Sequence, residues 1–441
     1  MISSTRRLPA MDPFELVARA PFPFLARCRV PRDLESVTRV GEEAPAREAR
    51  TSRASVDRVW RSVEALYRTG VHPAIQLCVR RRGHVVLHRA IGHAAGNAPD
   101  DAPDAPLVPV ELETPFTIFS ASKAITAMVI HKLDERRALH LEDRVSDFIP
   151  EFAAHGKHRI TIRHLLAHRA GIPNLPPESV DLDLLAHPER VIEILARSRP
   201  TGRPGRWLSY HAVTGGFVLA EVVRRATGRS IRDVLDKEIR EPMGVRWLSY
   251  GVAREHLDRV AQNACTGPPP PPPVGLVLRR AMGAGVRRVV ELSNDPRFLL
   301  GVIPAANVVA TAEELSAFYQ CLLDEGSWRG VRVFDPRTVR RATSEHNYWE
   351  MDFTLGVPLR YGLGFMLGGE WFSLLGYGNP NAFGHLGYSN IFSWADPDRD
   401  IAVALLTSGK PVASLHVIRL VQLLLEISRA FPRLRRAWEP G

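Results

Sequence analysis

The chain has 441 residues, 45% hydrophobic and 24% charged, which are the proportions of a globular protein large enough for two or three structural units. A formal net charge of +10 raises the question of nucleic acid or an anionic membrane surface. The basic residues are nearly all scattered arginines, however, and clusters such as Arg80-Arg81-Arg82 carry no interleaved aromatics, so nucleic acid is not the expected partner.

Residues 1–55 hold proline and charge without a clear period and read as an N-terminal arm. Arg6, Arg7, Asp12, Glu15 and Arg19 interrupt any apolar stretch that could act as a signal-peptide core, and no run of about 18 apolar residues marks a membrane helix. A cytoplasmic location is the expectation. Cys28, Cys78, Cys265 and Cys321 are far apart and form no CxxC pair, which points to free thiols.

Val56, Val59, Val63, Leu66 and Tyr67 recur at helical spacing over 55–70. Residues 74–80 and 84–90 are β-rich runs around Arg82-Gly83, a hairpin pattern. Helical spacing returns over 122–139, and a short apolar segment over 160–167 leads into a proline loop at 173–177. Helices are expected at 215–227 and 231–239, and no strand pattern shows in this middle region. Pro268 to Pro273 predicts a stiff, extended segment. Residues 276–292 then mix apolar residues with Arg279, Arg280, Arg287 and Arg288. They fit a basic amphipathic helix that touches a membrane or covers a site, or an ordinary surface segment weakened by Gly283 and Gly285. A helix over 312–323 has Thr311 as its N-cap, a hairpin joins 392–395 to 401–406, and an amphipathic helix closes the chain at 414–430. Strands near both ends with helices between them suit an α+β layer.

The strongest chemical signal is Ser120-Ala121-Ser122-Lys123, where an apolar helix begins. Residues three apart share a helix face, so Ser120 and Lys123 can approach within hydrogen-bond distance. A serine hydroxyl needs a base to become a nucleophile. A lysine serves only if its ammonium form is disfavoured, by burial or by another positive charge. The bland reading is an N-capping serine beside an exposed lysine. Ser122 is a second serine, but its direct neighbour Lys123 points elsewhere.

Surrounding blocks add to this. The stretch from Phe116 to Thr126 resembles the nucleophile segment of the serine β-lactamase superfamily, in the branch of class C β-lactamases, related esterases and D-alanyl-D-alanine peptidases. In the family's order follow Leu139 to Val145 with Ile149-Pro150, Ile160 to Ile172, Pro204 to Tyr210, Tyr361 to Phe365, and Phe383 to Gly387. The resemblance runs from about Ala74 to Gly409. It implies a β-lactamase-like fold, an antiparallel sheet flanked by helices plus an inserted all-helical domain. Residues 56–112 and 330–441 would form the sheet domain and 113–329 the mainly helical one.

The resemblance assigns Ser120 as the acylated serine, Lys123 as its partner and Tyr210 as the tyrosine of a Tyr-x-Asn motif. That motif reads Tyr210-His211-Ala212 here, so the amide is missing. A Lys-Thr-Gly motif becomes His385-Leu386-Gly387, as in esterases of this type. His385 would donate a hydrogen bond or tune Tyr210, and Gly387 would let substrate lie close to the strand. The backbone N–H groups of Ser120 and Tyr388 would form the oxyanion hole. No metal or organic cofactor is implied, and the partner is a small-molecule ester or amide. Carboxylic ester hydrolysis ranks above β-lactamase or peptidase activity, because an anionic antibiotic favours a fixed lysine and a carboxamide. A non-catalytic binding or sensor protein on the same fold is the rival from another class.

No Gly-x-Ser-x-Gly occurs, which argues against an α/β-hydrolase elbow. His164 and His168 sit at i, i+4 on an expected helix, but the glutamate of His-Glu-x-x-His is replaced by Leu165, so structural histidines are expected rather than a metal site.

Overall fold

The strands near the two chain ends meet in one antiparallel sheet. The computed structural model describes residues 26–172, 174–175 and 181–434. The sheet contains β1 (Thr38–Val40), β2 (Ala74–Arg81) and β3 (His84–Ala95) from the N-terminal part. It also contains β4 (Asn347–Asp352), β5 (Val357–Tyr361), β6 (Met366–Leu367), β7 (Phe383–Gly387), β8 (Ile391–Asp396) and β9 (Ile401–Thr407). Their spatial order is β1-β3-β2-β9-β8-β7-β6-β5-β4, and Val108–Pro109 pairs with β3 off this path. The two halves join where β9 runs antiparallel to β2, from Ile401 opposite Arg81 to Thr407 opposite Ile75.

Helices cover both faces of this sheet. Val403 and Leu405 of β9 face a core shared with α1 (Arg53–Tyr67) and α7 (His416–Ala430). Ala402, Ala404 and Leu406 face the other way, toward α2 (Ser122–Glu135) and α6 (Ala312–Leu323). Burial on both faces explains why the central strands read as nearly continuous apolar runs. The alanines let α2 and α6 pack closely. α2 is buried from Ser122 to Leu133, so it is a core helix rather than an amphipathic surface one. Ser52 caps α1 by accepting from the Ser55 N–H, and Thr311 caps α6 by accepting from the Glu314 N–H.

Several expectations change. Residues 26–55 of the expected arm are tied into the sheet: β1 pairs with β3, and Leu34 and Ala49 are buried in the α1–α7 core. The rest of that arm lies outside the described residues, as does most of the expected loop at 173–177. The middle of the chain carries α3 (Thr214–Thr227) but is not purely helical, because Phe116–Thr117, Val308–Ala310 and Ser249–Tyr250 form a small antiparallel sheet. Two- and three-residue strands have too few residues to show a period. The extended proline segment stops at Pro271, and Pro272 starts helix α4 (Pro272–Met282) at the position where its missing N–H costs nothing. Gly283, at φ 74°, ends α4, and α5 (Val286–Ser293) follows, so the single expected basic helix is a helical hairpin.

Candidate active site

Ser120 lies in a short 3-10 turn, Phe119–Ala121, that leads into α2. Phe119 holds φ at +48°, an uncommon conformation for a phenylalanine and a local cost of about 1–3 kcal/mol. The turn is pinned on both sides. Ile118 N–H donates to Val308 O at 2.9 Å, and Val308 N–H donates to Ser122 Oγ at 3.0 Å. Ser122 is therefore fully buried and committed to the backbone, which leaves Ser120 as the serine facing open space.

Lys123 is buried, and among the described residues no carboxylate forms an ion pair with its amine. Nζ lies 3.1 Å from Ser120 Oγ, 2.8 Å from Ala212 O and 3.0 Å from Ala305 O. Burial holds its pKa well below the usual lysine range. Three acceptors surround Nζ. In the neutral amine that burial favours, the two N–H bonds are spent on the two carbonyls, and the lone pair is left toward the Ser120 hydroxyl. Ala212 comes from the segment after Tyr210. Ala305 comes from a loop braced by Asn307, whose amide donates to Phe298 O and Gly301 O while its oxygen accepts from Ile303 N–H.

Tyr210 is buried. Burial raises the phenol's pKa, and the nearby Ser120 side chain opposes part of that rise. Lys123 Nζ lies 4.7 Å from the Tyr210 ring centroid. Asp352 holds the tyrosine in place: Oδ1 accepts from the N–H groups of Tyr210, Thr354 and Leu355 at 3.2, 2.8 and 3.0 Å. The structure thus brings Ser120, Lys123 and Tyr210 together, from two regions nearly ninety residues apart in sequence.

His385 is placed differently from its expected role. Its ring centroid lies 6.3 Å from that of Tyr210, but Nδ1 bonds the carbonyl of its own neighbour Leu386 at 2.8 Å, and Nε2 is buried without a partner. It makes no hydrogen bond to Tyr210. Burial pushes its pKa down to about 3, which favours the neutral ring. Gly387 is needed for a reason other than substrate approach. A Cβ there would sit 2.4 Å from Ile118 O, so the end of β7 can abut the nucleophile turn only as glycine. Tyr388 follows, its ring 5.6 Å from that of Phe119, and lines the same cavity as Ser120.

Sequence reading missed Asp352, Ala305 and Asn307, which act through backbone groups and carry no spacing signal. It also misjudged His168. The helix Ile162–Leu166 ends before His168, so His164 and His168 do not share a helix face. His164 Nδ1 accepts from Thr161 N–H. His168 Nδ1 accepts from His211 N–H at 3.2 Å, and its ring packs 4.7 Å from that of Tyr210. Among the described residues, no group of three His, Cys, Asp or Glu side chains could hold a metal ion, and the four cysteines are free.

A single antiparallel sheet covered by helices on both faces, with a serine and a lysine at the base of a buried helix, is the architecture of the serine hydrolases built on the β-lactamase and penicillin-binding-protein fold. The chain belongs to the Beta-lactamase family, whose model matches residues 61–425. It is 30% identical over 320 residues to "Esterase/beta-lactamase LipL" of Mycobacterium tuberculosis, covering 68% of this chain and 70% of that one. A crystal structure of a family VIII carboxylesterase superposes with a TM-score of 0.74 at 25% identity, covering 89% of this chain and 99% of the other. A penicillin-binding protein homologue from Caulobacter crescentus gives 0.73 at 26% identity, covering 85% and 97%. No helix among the described residues is long and apolar enough to cross a membrane.

Proposed function

We propose that the protein hydrolyses carboxylic esters through a covalent acyl-enzyme on Ser120. Ser120 Oγ attacks the ester carbonyl carbon, and its proton passes to the lone pair of Lys123 Nζ. The N–H groups of Ser120 and Tyr388 hold the resulting oxyanion. The carbon–oxygen bond to the alcohol then breaks, and the alcohol departs with a proton returned from Lys123 by way of Tyr210. Water attacks the acyl-enzyme with its proton taken by the same pair, and the acid leaves as Ser120 recovers its hydrogen.

The observation that carries the choice of ester is the pair His385, whose Nδ1 is bonded to Leu386 O, and Ala212, with its methyl group. A substrate with a carboxylate beside its scissile bond gains from a fixed cation and an amide at these two places, and neither is present. An ester has a better leaving group and needs less help. The names of the matched relatives, one an esterase/β-lactamase and one a carboxylesterase, support this reading. The test compares kcat/KM for 4-nitrophenyl butyrate with that for nitrocefin. Faster ester turnover is expected. Faster nitrocefin turnover would make the protein a β-lactamase, and no turnover of either would favour a binding protein on this fold.

A further inference from the structure

The cavity at Ser120 is open to solvent, and the non-atom space there, that solvent included, is about 1200 Å³. Its lining is almost wholly apolar, with Leu185, Phe217, Met282, Val289, Leu292 and Phe298 among its walls. Among the described residues the polar exceptions are Ser120 itself, Tyr388 beside it and Asp181. Asp181 is an exposed residue whose carboxylate accepts from Asp183 N–H, so it marks the mouth rather than the interior. One wall is the α4–α5 hairpin. Met282 and Ala284 flank its Gly283 turn, and Val289 and Leu292 face the cavity from α5. The same hairpin turns Arg279, Arg287 and Arg288 outward. The apolar residues from Ala281 through Leu292 thus form an inner face that covers the site, whereas Val274, Leu276 and Val277 earlier in α4 are exposed.

Which half of an ester enters this space follows from where the protons move. Lys123 and Tyr210, which would return a proton to the departing alcohol, do not line the cavity. Ser120 and Tyr388, which would hold the carbonyl, do. The alcohol must leave on the Lys123–Tyr210 side, so the group lodged in the cavity is the other substituent of the carbonyl carbon.

We infer that this cavity is an acyl site for a medium-length hydrocarbon chain, roofed by the α4–α5 hairpin, so that the preferred substrates are neutral esters of medium-chain fatty acids rather than acetates. The inference rests on the ester-hydrolase reading and adds the acyl specificity to it. Each methylene buried contributes a factor of about three to four in kcat/KM, from roughly 0.8 kcal/mol of transfer free energy.

The experiment varies one end of the ester at a time. With 4-nitrophenol constant, kcat/KM should climb about three- to fourfold per methylene from acetate through butyrate and hexanoate toward octanoate. With acetate constant, lengthening the alcohol should give no comparable climb. Ala284→Trp should lower the octanoate-to-acetate ratio at least tenfold. A flat acyl profile, or a climb with the alcohol instead, would overturn the inference while leaving the ester-hydrolase reading intact. Calorimetry on the Ser120→Ala protein gives an arm independent of turnover: ethyl octanoate should bind with a negative heat-capacity change, and ethyl acetate should not bind measurably. Equal or absent binding of both would overturn the acyl site even if no ester were hydrolysed, whereas octanoate-selective binding without turnover would sustain it and sink the catalytic reading alone.

Discussion

Lys123 Nζ stands 3.1 Å from Ser120 Oγ, with its remaining polar contacts supplied by the backbone carbonyls of Ala212 and Ala305. A buried amine surrounded by neutral acceptors and no counter-charge is a base in waiting. This relationship predicts that Lys123→Arg inactivates the protein. Guanidinium does not deprotonate in proteins, so it has no lone pair to offer. Ester kcat/KM should fall by about 10²–10⁴, the usual value of a general base, with Ser120→Ala falling at least as far. Steady-state kinetics beside a thermal melt separates this loss from unfolding.

The depressed pKa of Lys123 also sets the sign of the pH dependence. In the proposed mechanism the reactive form is the neutral amine, so kcat/KM should rise with pH through the lysine's folded pKa, well below 10.5, and then level off. A rate that falls as pH increases over that limb would mean that a protonated group is the one required.

Stability should fall in mild acid. Burial lowers the pKa of His385 and His211 to about 3 and of His131 to about 4, with His72 and His168 also shifted well down. Between those values and the ordinary histidine value near 6.5, the unfolded chain binds more protons than the folded one. Stability therefore rises with pH across this window and is progressively lost as pH drops below about 6.5. Denaturant midpoints from pH 7 to pH 4.5 should decline steadily. A constant midpoint would show that these rings protonate in the folded state.

Tyr210→Phe removes the phenol hydroxyl near Ser120 and leaves the ring packing intact. We expect kcat to fall by about 10² or more, within the range for a proton-transfer group, with little change in melting temperature. Unchanged kcat would remove Tyr210 from the proton path.

Asp352 positions that tyrosine without touching substrate. Asp352→Ala strands three N–H groups at once, among them that of Tyr210, at about 1–3 kcal/mol for each donor left unsatisfied. Asp352→Asn retains a carbonyl oxygen for the same donors. Loss of kcat in Asp352→Ala with recovery in Asp352→Asn is the expected pattern, read from kcat and melting temperature together. Equal loss in both would point to a need for the carboxylate itself.

Much of this site was legible in the sequence because its chemistry is local. Ser120 and Lys123 are three residues apart at the start of an apolar run, and the blocks around Tyr210 and His385 carry recognisable patterns. What sequence could not supply is what long-range packing decides. Ala305 and Ala212 contribute carbonyls, which every residue has, so nothing in their side chains announces that they hold an amine. Asp352 and Asn307 brace backbone N–H groups across gaps of 142 and 4 residues, contacts without a periodic signature. Gly387 was expected beside substrate, yet the space it leaves is taken by Ile118 O. The region 272–293 showed its amphipathic character, but only the fold shows that its part from Ala281 to Leu292 roofs a cavity while Val274, Leu276 and Val277 stay exposed.

The central claim is that Ser120, and not Ser122, is the activated hydroxyl. It is tested most directly by treating the native protein with a fluorophosphonate and mapping the adduct by peptide mass spectrometry. One covalent adduct on Ser120 is predicted, absent from the Ser120→Ala protein and strongly slowed in Lys123→Arg. An unlabelled native protein, or an adduct on Ser122 instead, would contradict the account.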